Sequence, residues 1–251
     1  MESIKDIQAA FEAADPDGKA ALANALYNDG RLGVQKLIDR YIKEQKALEK
    51  ELCRLEGMLE YEHRYEDTQF ICGIDEAGRG PLAGPVVASA VILPKGLKIM
   101  YLNDSKQLSP RRRDSLYDEI MEKAIAVGVG VVSPERIDEI NILQATYEAM
   151  RMAVQDTGVR PGVLLNDAVI IPKLDIPQVK IIKGDSKSLS IAAASVIAKV
   201  TRDRMMGAYD QIFPEYGFLK HKGYGTGEHV EAIKKYGPSP IHRTTFIKNF
   251  I

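Results

Sequence analysis

The chain reads as an α/β protein in which a layered sheet follows a purely helical segment. Two features of the sequence predict this. From about residue 69 onward, short apolar runs rich in Val and Ile alternate with stretches of helical periodicity, whereas residues 1 to 68 read as helices throughout. The charge divides at the same place. Residues 1 to 70 hold 10 Lys and Arg against 15 Asp and Glu, and the remainder holds 24 against 20, so a net charge of -1 conceals an acidic and a basic part.

In the first segment, Ser3 caps a short helix whose apolar positions are Ile4, Ile7, Phe11 and Ala14, and Asp15-Pro16-Asp17-Gly18 breaks it as a turn. That tetrapeptide lacks the remaining acids of a calcium loop. A second short helix runs to Asn28-Asp29-Gly30. A long helix then reaches about Glu66, with Val34, Ile38, Tyr41, Gln45, Leu48, Leu52, Leu55 and Leu59 spaced alternately four and three apart. This stripe is read first as packing within the chain, with dimerisation or a protein partner left open.

In the second segment, strands are expected at Phe70–Ile74, Val86–Leu93, Val127–Val132, Gly162–Leu165 and Val179–Ile182. Helices are expected at Pro110–Ala126, Ile140–Gln155 and Ser188–Tyr209. The organisation is therefore a helical extension over residues 1–68 and a layered α/β domain over residues 69–251.

With 251 residues, 45% hydrophobic and 27% charged, the chain can bury a self-sufficient core. Its two cysteines form no CxxC pair and its four histidines no HExxH, which excludes zinc frameworks and disulfide-built secreted folds. No basic leader precedes an apolar run and no stretch suits a membrane span, so a cytoplasmic protein without a membrane partner is expected.

Chemistry is suggested by where the carboxylates fall. Asp75 and Glu76 end the first strand, Asp167 follows Val163–Asn166, and Asp185 follows the run ending in Lys183-Gly184. Strand ends are where α/β sheets keep their reactive groups. Four such acids without Cys or His suit the hard cations Mg²⁺ or Mn²⁺, two of which can activate water and stabilise the leaving oxygen of a phosphodiester. The glycine-rich stretch Gly78–Gly84 matches neither GxGxxG nor a P-loop, and the two acids before it would repel a pyrophosphate. The stretch Ala232–Ile251 holds Lys234, Lys235, His242, Arg243 and Lys248 without any acid, and reads as a patch for a nucleic-acid backbone.

The stretch from Gly73 to Val86, Gly-Ile-Asp-Glu-Ala-Gly-Arg-Gly-Pro-Leu-Ala-Gly-Pro-Val, closely resembles the signature of the ribonuclease HII (type 2 ribonuclease H) family. The resemblance continues through Asn103–Ser109, Lys183–Ser186, Ala193–Asp203, His221–Thr226 and His242–Phe246, and spans about Gln69 to Phe250. It implies a ribonuclease H-like mixed sheet flanked by helices, with a helical C-terminal part. It also implies that Asp75, Glu76, Asp167 and Asp185 are the catalytic acids, holding two Mg²⁺ or Mn²⁺ ions. Asp167 stands in Asn166-Asp167-Ala168 where the family commonly has Val before and Gly after, which leaves Asp175 as the nearest substitute. By the same resemblance the backbone of Gly78, Arg79 and Gly80, together with Tyr224, recognises a ribonucleotide joined to DNA, and Lys106 contacts phosphate. The Gly-Arg-Gly triplet separates the chain from the sister type 3 enzymes. The implied activity is endonucleolytic cleavage on the 5' side of a ribonucleotide in RNA–DNA hybrids or duplex DNA. The competing class is a non-catalytic nucleic-acid-binding adaptor that uses the N-terminal helix to join a partner.

Overall fold

The structure is a computed structural model and describes residues 2–249. The chain divides into two compact units, one up to Arg54 and one from Leu55 onward.

Three helices build the first unit: α1 (Ile4–Ala13), α2 (Pro16–Ala25) and the greater part of α3 (Leu32–Gly57). Ser3 caps α1 as expected, in a reciprocal box in which its hydroxyl accepts from the Asp6 amide at 3.2 Å and the Asp6 carboxylate accepts from the Ser3 amide at 3.1 Å. The tetrapeptide read as a turn is instead the start of α2. Asp15 is its N-cap, accepting from the Gly18 amide at 2.7 Å, and Pro16 takes the first helical position, where a missing N–H costs nothing. Ile7, Phe11, Ala23, Val34 and Ile38 form this unit's buried core. The seam of α3 is not continuous: Val34 and Ile38 are buried, whereas Leu48 and Leu52 are each 40% exposed.

The long helix also stops earlier than its periodicity predicts, at Gly57 rather than near Glu66. The Met58 carbonyl, which a continuing helix would pair with residue 62, accepts instead from the Leu189 amide at 3.0 Å. After Leu59 a short helix, α4 (Glu60–Arg64), brings up Glu62, whose carboxylate accepts from Ser188 Oγ at 2.6 Å and the Ser190 amide at 2.9 Å. Leu55, Met58 and Leu59 are thereby committed to the core of the second unit.

That unit contains the strands β1 (Ile71–Ala77), β2 (Val86–Ile92), β3 (Ala126–Val132), β4 (Val163–Asp167) and β5 (Gln178–Ile181), in the sheet order β3-β2-β1-β4-β5. β2 runs antiparallel to both β1 and β3, while β1, β4 and β5 are parallel, so the sheet is mixed. β1 extends past the expected end because Asp75, Glu76 and Ala77 pair with Ser89, Ala88 and Val87. β2 is buried along its whole length, which its mostly apolar composition reflects, and its one hydroxyl, Ser89, donates to the Ala194 carbonyl at 2.7 Å.

On one face lie α5 (Pro110–Lys123) and α7 (Leu189–Ile212), and on the other α6 (Pro134–Asp156). Each fully buried Leu, Ile or Val in these layers contributes about 1.5–3 kcal/mol. The approach of α7 is close: a Cβ on Gly73 would stand 2.1 Å from the Ser190 carbonyl carbon. α6 begins earlier than predicted and kinks at Asn141 (φ 66°), whose side-chain oxygen accepts from the Leu143 and Gln144 amides and restarts the helix. The C-terminal part is helical, with α8 (Phe218–His221), α9 (Gly227–Tyr236) and α10 (Thr244–Ile247). Among the described residues, no helix is long and apolar enough to cross a membrane.

Candidate active site

The parallel register of β1 and β4 fixes the first relation between the acids. Ile74 lies opposite Asn166, so Asp75 and Asp167 follow at neighbouring positions toward the same end of the sheet. β5 continues the layer, and Asp185 sits in the 3₁₀ turn Gly184–Ser186 just beyond it. The Gly184 amide donates to Asp167 Oδ1 at 2.7 Å, which ties the β4 end to the Asp185 turn. Asp175 stands on the exposed approach to β5, away from this end.

Asp75 is 5% exposed, and burial, followed by the neighbouring Glu76 and Asp167 charges, pushes its carboxyl well above the usual carboxylate range. Burial also raises Glu76, with Asp167 adding to it and Arg79 opposing it. Asp185 is raised by burial, then by Asp104 and Asp167. Against burial, which alone would lower it, the Lys106 ammonium is raised by Asp104, Asp75, Asp185 and Asp167. The charge of Asp167 thus acts on all three of the other predicted acids, with Lys106 as the cation they share. Asp104 is a fifth carboxylate in the cluster that sequence reasoning missed.

Two carboxylates about 4 Å apart repel by roughly 4 kcal/mol at an effective dielectric of 20. Protein donors hold them here. Asp75 accepts from the Glu76 amide at 2.7 Å and from the Ser195 hydroxyl, Ser105 and Ser195 are 2.9 Å apart, and Arg79 Nη1 reaches Glu76 at 3.3 Å. In this arrangement no three His, Cys, Asp or Glu side chains among the described residues form a ready-made ion cage. The donor set nonetheless fits a hard divalent cation: it consists of carboxylate oxygens, and burial and repulsion disfavour the charged form of three of the carboxyls, which a cation would reverse.

Next to the acids, Gly78 has φ +93° and packs against Arg202, whose Nε would lie 2.1 Å from a Cβ at that position. Arg79 and Gly80 are exposed, and Tyr224 is 44% exposed with its Cε1 3.9 Å from where a Gly80 Cβ would be. Lys106 is exposed at the rim. An open groove of about 600 Å³ presents Arg113, Lys199, Arg204, Lys220 and Lys222 against Asp114 and Asp203.

The C-terminal basic patch requires correction. Lys234, Lys235 and Lys248 are exposed, but Arg243 is fully buried and His242 is 3% exposed, so neither reaches a nucleic-acid backbone. Arg243 and Arg202 instead hold backbone carbonyls beneath Gly78–Pro85. Burial at so polar a position leaves no signature in spacing or composition.

Known proteins resemble this chain along nearly its whole length. The family model for ribonuclease HII matches residues 72–249, and that for the ribonuclease HII N-terminal domain matches residues 3–66. Ribonuclease HII of Lachnoclostridium phytofermentans is 58% identical over 246 residues, covering 98% of this chain and 97% of the relative. That of Clostridioides difficile is 50% identical over 252 residues, covering 100% and 99%. The crystal structure of ribonuclease H2 from Pyrococcus horikoshii superposes with a TM-score of 0.60 at 29% identity, covering 72% of this chain and 97% of that one. Both family models, relatives matched end to end and the mixed sheet with its acidic strand ends agree: the chain belongs to the ribonuclease HII family.

Proposed function

We propose that this ribonuclease H is a cytoplasmic endonuclease that hydrolyses the phosphodiester on the 5' side of a ribonucleotide, leaving 3'-hydroxyl and 5'-phosphate ends. Its substrates are RNA–DNA hybrids and duplex DNA with embedded ribonucleotides. The reading rests on residues 69–251 as the catalytic domain and residues 1–68 as a helical extension. The observation that carries it is the charge that Asp167 exerts on each of Asp75, Glu76 and Asp185 at one end of β1, β4 and the β5 turn.

These four residues hold two Mg²⁺ or Mn²⁺ ions. When bound, such ions supply an activated water and neutralise the departing 3'-oxygen. The chain's own residues do the rest. Ser195 and the Glu76 amide orient the Asp75 carboxylate. Lys106, exposed at the rim, meets a phosphate of the bound strand as a point charge. The backbone of Gly78, Arg79 and Gly80 approaches the 2'-hydroxyl, the one group that separates RNA from DNA at a given position, and the exposed ring of Tyr224 stacks beside it. Arg79 is free to exchange Glu76 for a phosphate oxygen, because its ion pair is long and 44% of its side chain is exposed. The groove with five cations takes the backbone of the duplex.

A DNA duplex carrying one ribonucleotide tests the reading. Nicking on the 5' side of that ribonucleotide, dependent on Mg²⁺ and abolished by EDTA, is the expected result. Retardation in a gel without metal-dependent nicking would instead favour a non-catalytic adaptor.

A further inference from the structure

We propose that the segment Ser239–Arg243 is a specificity-determining strap that sets the spacing between the Gly78–Gly80 loop and Tyr224. The proposal rests on the ribonucleotide reading above and assigns a positioning role to His242, Arg243 and His229.

Two adjacent residues of the strap hold the two halves of the surface. Arg243, fully buried, spreads its guanidinium over the loop, donating to the carbonyls of Gly78 at 2.5 Å, Arg79 at 2.9 Å and Gly84 at 2.8 and 3.0 Å. Among the described residues it forms no ion pair, and an unpaired buried cation is costly. Only the planar fork of arginine serves three carbonyls at once; a lysine ammonium at the same charge cannot match that geometry.

His242 reaches the other half through a hydrogen-bond relay whose direction is fixed by its ends. The Ser239 amide, which can only donate, lies 2.9 Å from His242 Nδ1, so that nitrogen is bare and Nε2 carries the proton. The Tyr224 carbonyl, which can only accept, lies 2.9 Å from His229 Nδ1, so that nitrogen is protonated and His229 Nε2 is bare. The remaining contact, 3.0 Å between the two Nε2 atoms, therefore runs from His242 to His229. Both imidazoles are neutral and each has one tautomer.

The main chain closes the frame. The Gly84 amide donates to the Ile241 carbonyl, the Arg243 amide to the Leu82 carbonyl, and the Leu82 amide to the Gly223 carbonyl, each at 2.8 Å. Ala83 and His242 form an isolated antiparallel bridge. Beyond the strap, Asp138 of α6 accepts from the Thr244 amide at 2.7 Å and the Thr245 amide at 3.0 Å, which anchors the far end. A shift of the strap consequently moves the loop and Tyr224 relative to each other, where a Cβ on Gly80 would lie 3.9 Å from Tyr224 Cε1.

The test compares affinities of the full chain, in EDTA so that nothing is cut, for a duplex containing one ribonucleotide and for its all-DNA counterpart. The ratio of the two dissociation constants reads ribonucleotide preference, whereas a variant that merely loosens the fold weakens both affinities together and leaves the ratio in place. His229→Leu cuts the relay at both ends, and Arg243→Lys keeps charge while removing the fork. Each is expected to lower the ratio by about fivefold or more, the worth of one or two buried hydrogen bonds. His229→Asn, whose side-chain amide takes the place of Nδ1 and still serves Tyr224 but leaves His242 Nε2 without its acceptor, is expected to lower the ratio as well, by less than His229→Leu. Arg243→Lys keeps the test open if His229→Leu does not fold. A native preference that persists unchanged in the folded His229→Leu and Arg243→Lys proteins overturns the strap alone. A native protein with no preference overturns the ribonucleotide reading, and the strap with it.

Discussion

Asp75 carries its carboxylate into an interior that penalises the charge and beside two further acids that repel it. Such a group is useful where cations arrive to compensate it. Asp75→Asn is therefore expected to lower the cleavage rate by about 10²-fold or more while leaving affinity for the substrate duplex largely intact, as single-turnover cleavage and a binding titration would show. Tyr224→Ala is expected to behave in the opposite way, costing about 1–3 kcal/mol of binding to a single-ribonucleotide duplex, the usual worth of one stacked base. Asp75 and Glu76 were legible in the sequence as candidates because they end an apolar run, and Asp185 because it follows the run that forms β5. Asp104 was not, because no strand leads to it. It reaches the cluster through the 3₁₀ turn Ser105–Gln107, whose amide at Lys106 it caps at 2.9 Å. Ser195 was visible only as part of a motif, since its role depends on the one helical face that α7 turns toward β1.

The packing of α7 on β1 sets the position of the whole acidic end. Gly73 permits it, with the Ser190 backbone where a side chain would begin. Gly73→Ala is expected to destabilise the fold by at least about 1–3 kcal/mol, seen as a lower urea midpoint, because neither backbone can yield without moving the strand. All five strands and the principal helices follow from local sequence, the strands from short apolar runs and the helices from a 3.6-residue repeat. Their ends are not local. β1 outruns its apolar stretch because β2 supplies partners for Asp75–Ala77, and α3 ends at Gly57 because the Leu189 amide claims the Met58 carbonyl. Asn141 divides α6 by offering its own side chain as a cap, which the surrounding apolar spacing hides.

At the scale of the molecule, the basic character of the C-terminal part is real but unevenly used. The exposed lysines remain available to solvent, while Arg243 and His242 were legible only as charge and became scaffold once folding buried them. Burial has a consequence for pH. His229 and His242 are held down to about 4 from an ordinary value of 6.5, chiefly by desolvation. The unfolded chain takes up protons near 6.5 and the folded chain only near 4, so stability is complete above that upper value and declines as pH falls between the two. The urea midpoint is expected to drop between about pH 7.5 and pH 5, and the drop to shrink in a His229→Gln/His242→Gln double variant. The more demanding question is whether the acids from β1, β4 and the β5 turn serve the same ions. Anomalous diffraction from a crystal of the protein bound to a single-ribonucleotide duplex and soaked in Mn²⁺ answers it directly. Peaks within coordination distance of both the Asp75 and Asp185 carboxylates, beside the phosphate 5' to the ribonucleotide, are the expected result. Manganese found only elsewhere on the surface, with those carboxylates still turned to protein donors, would contradict it.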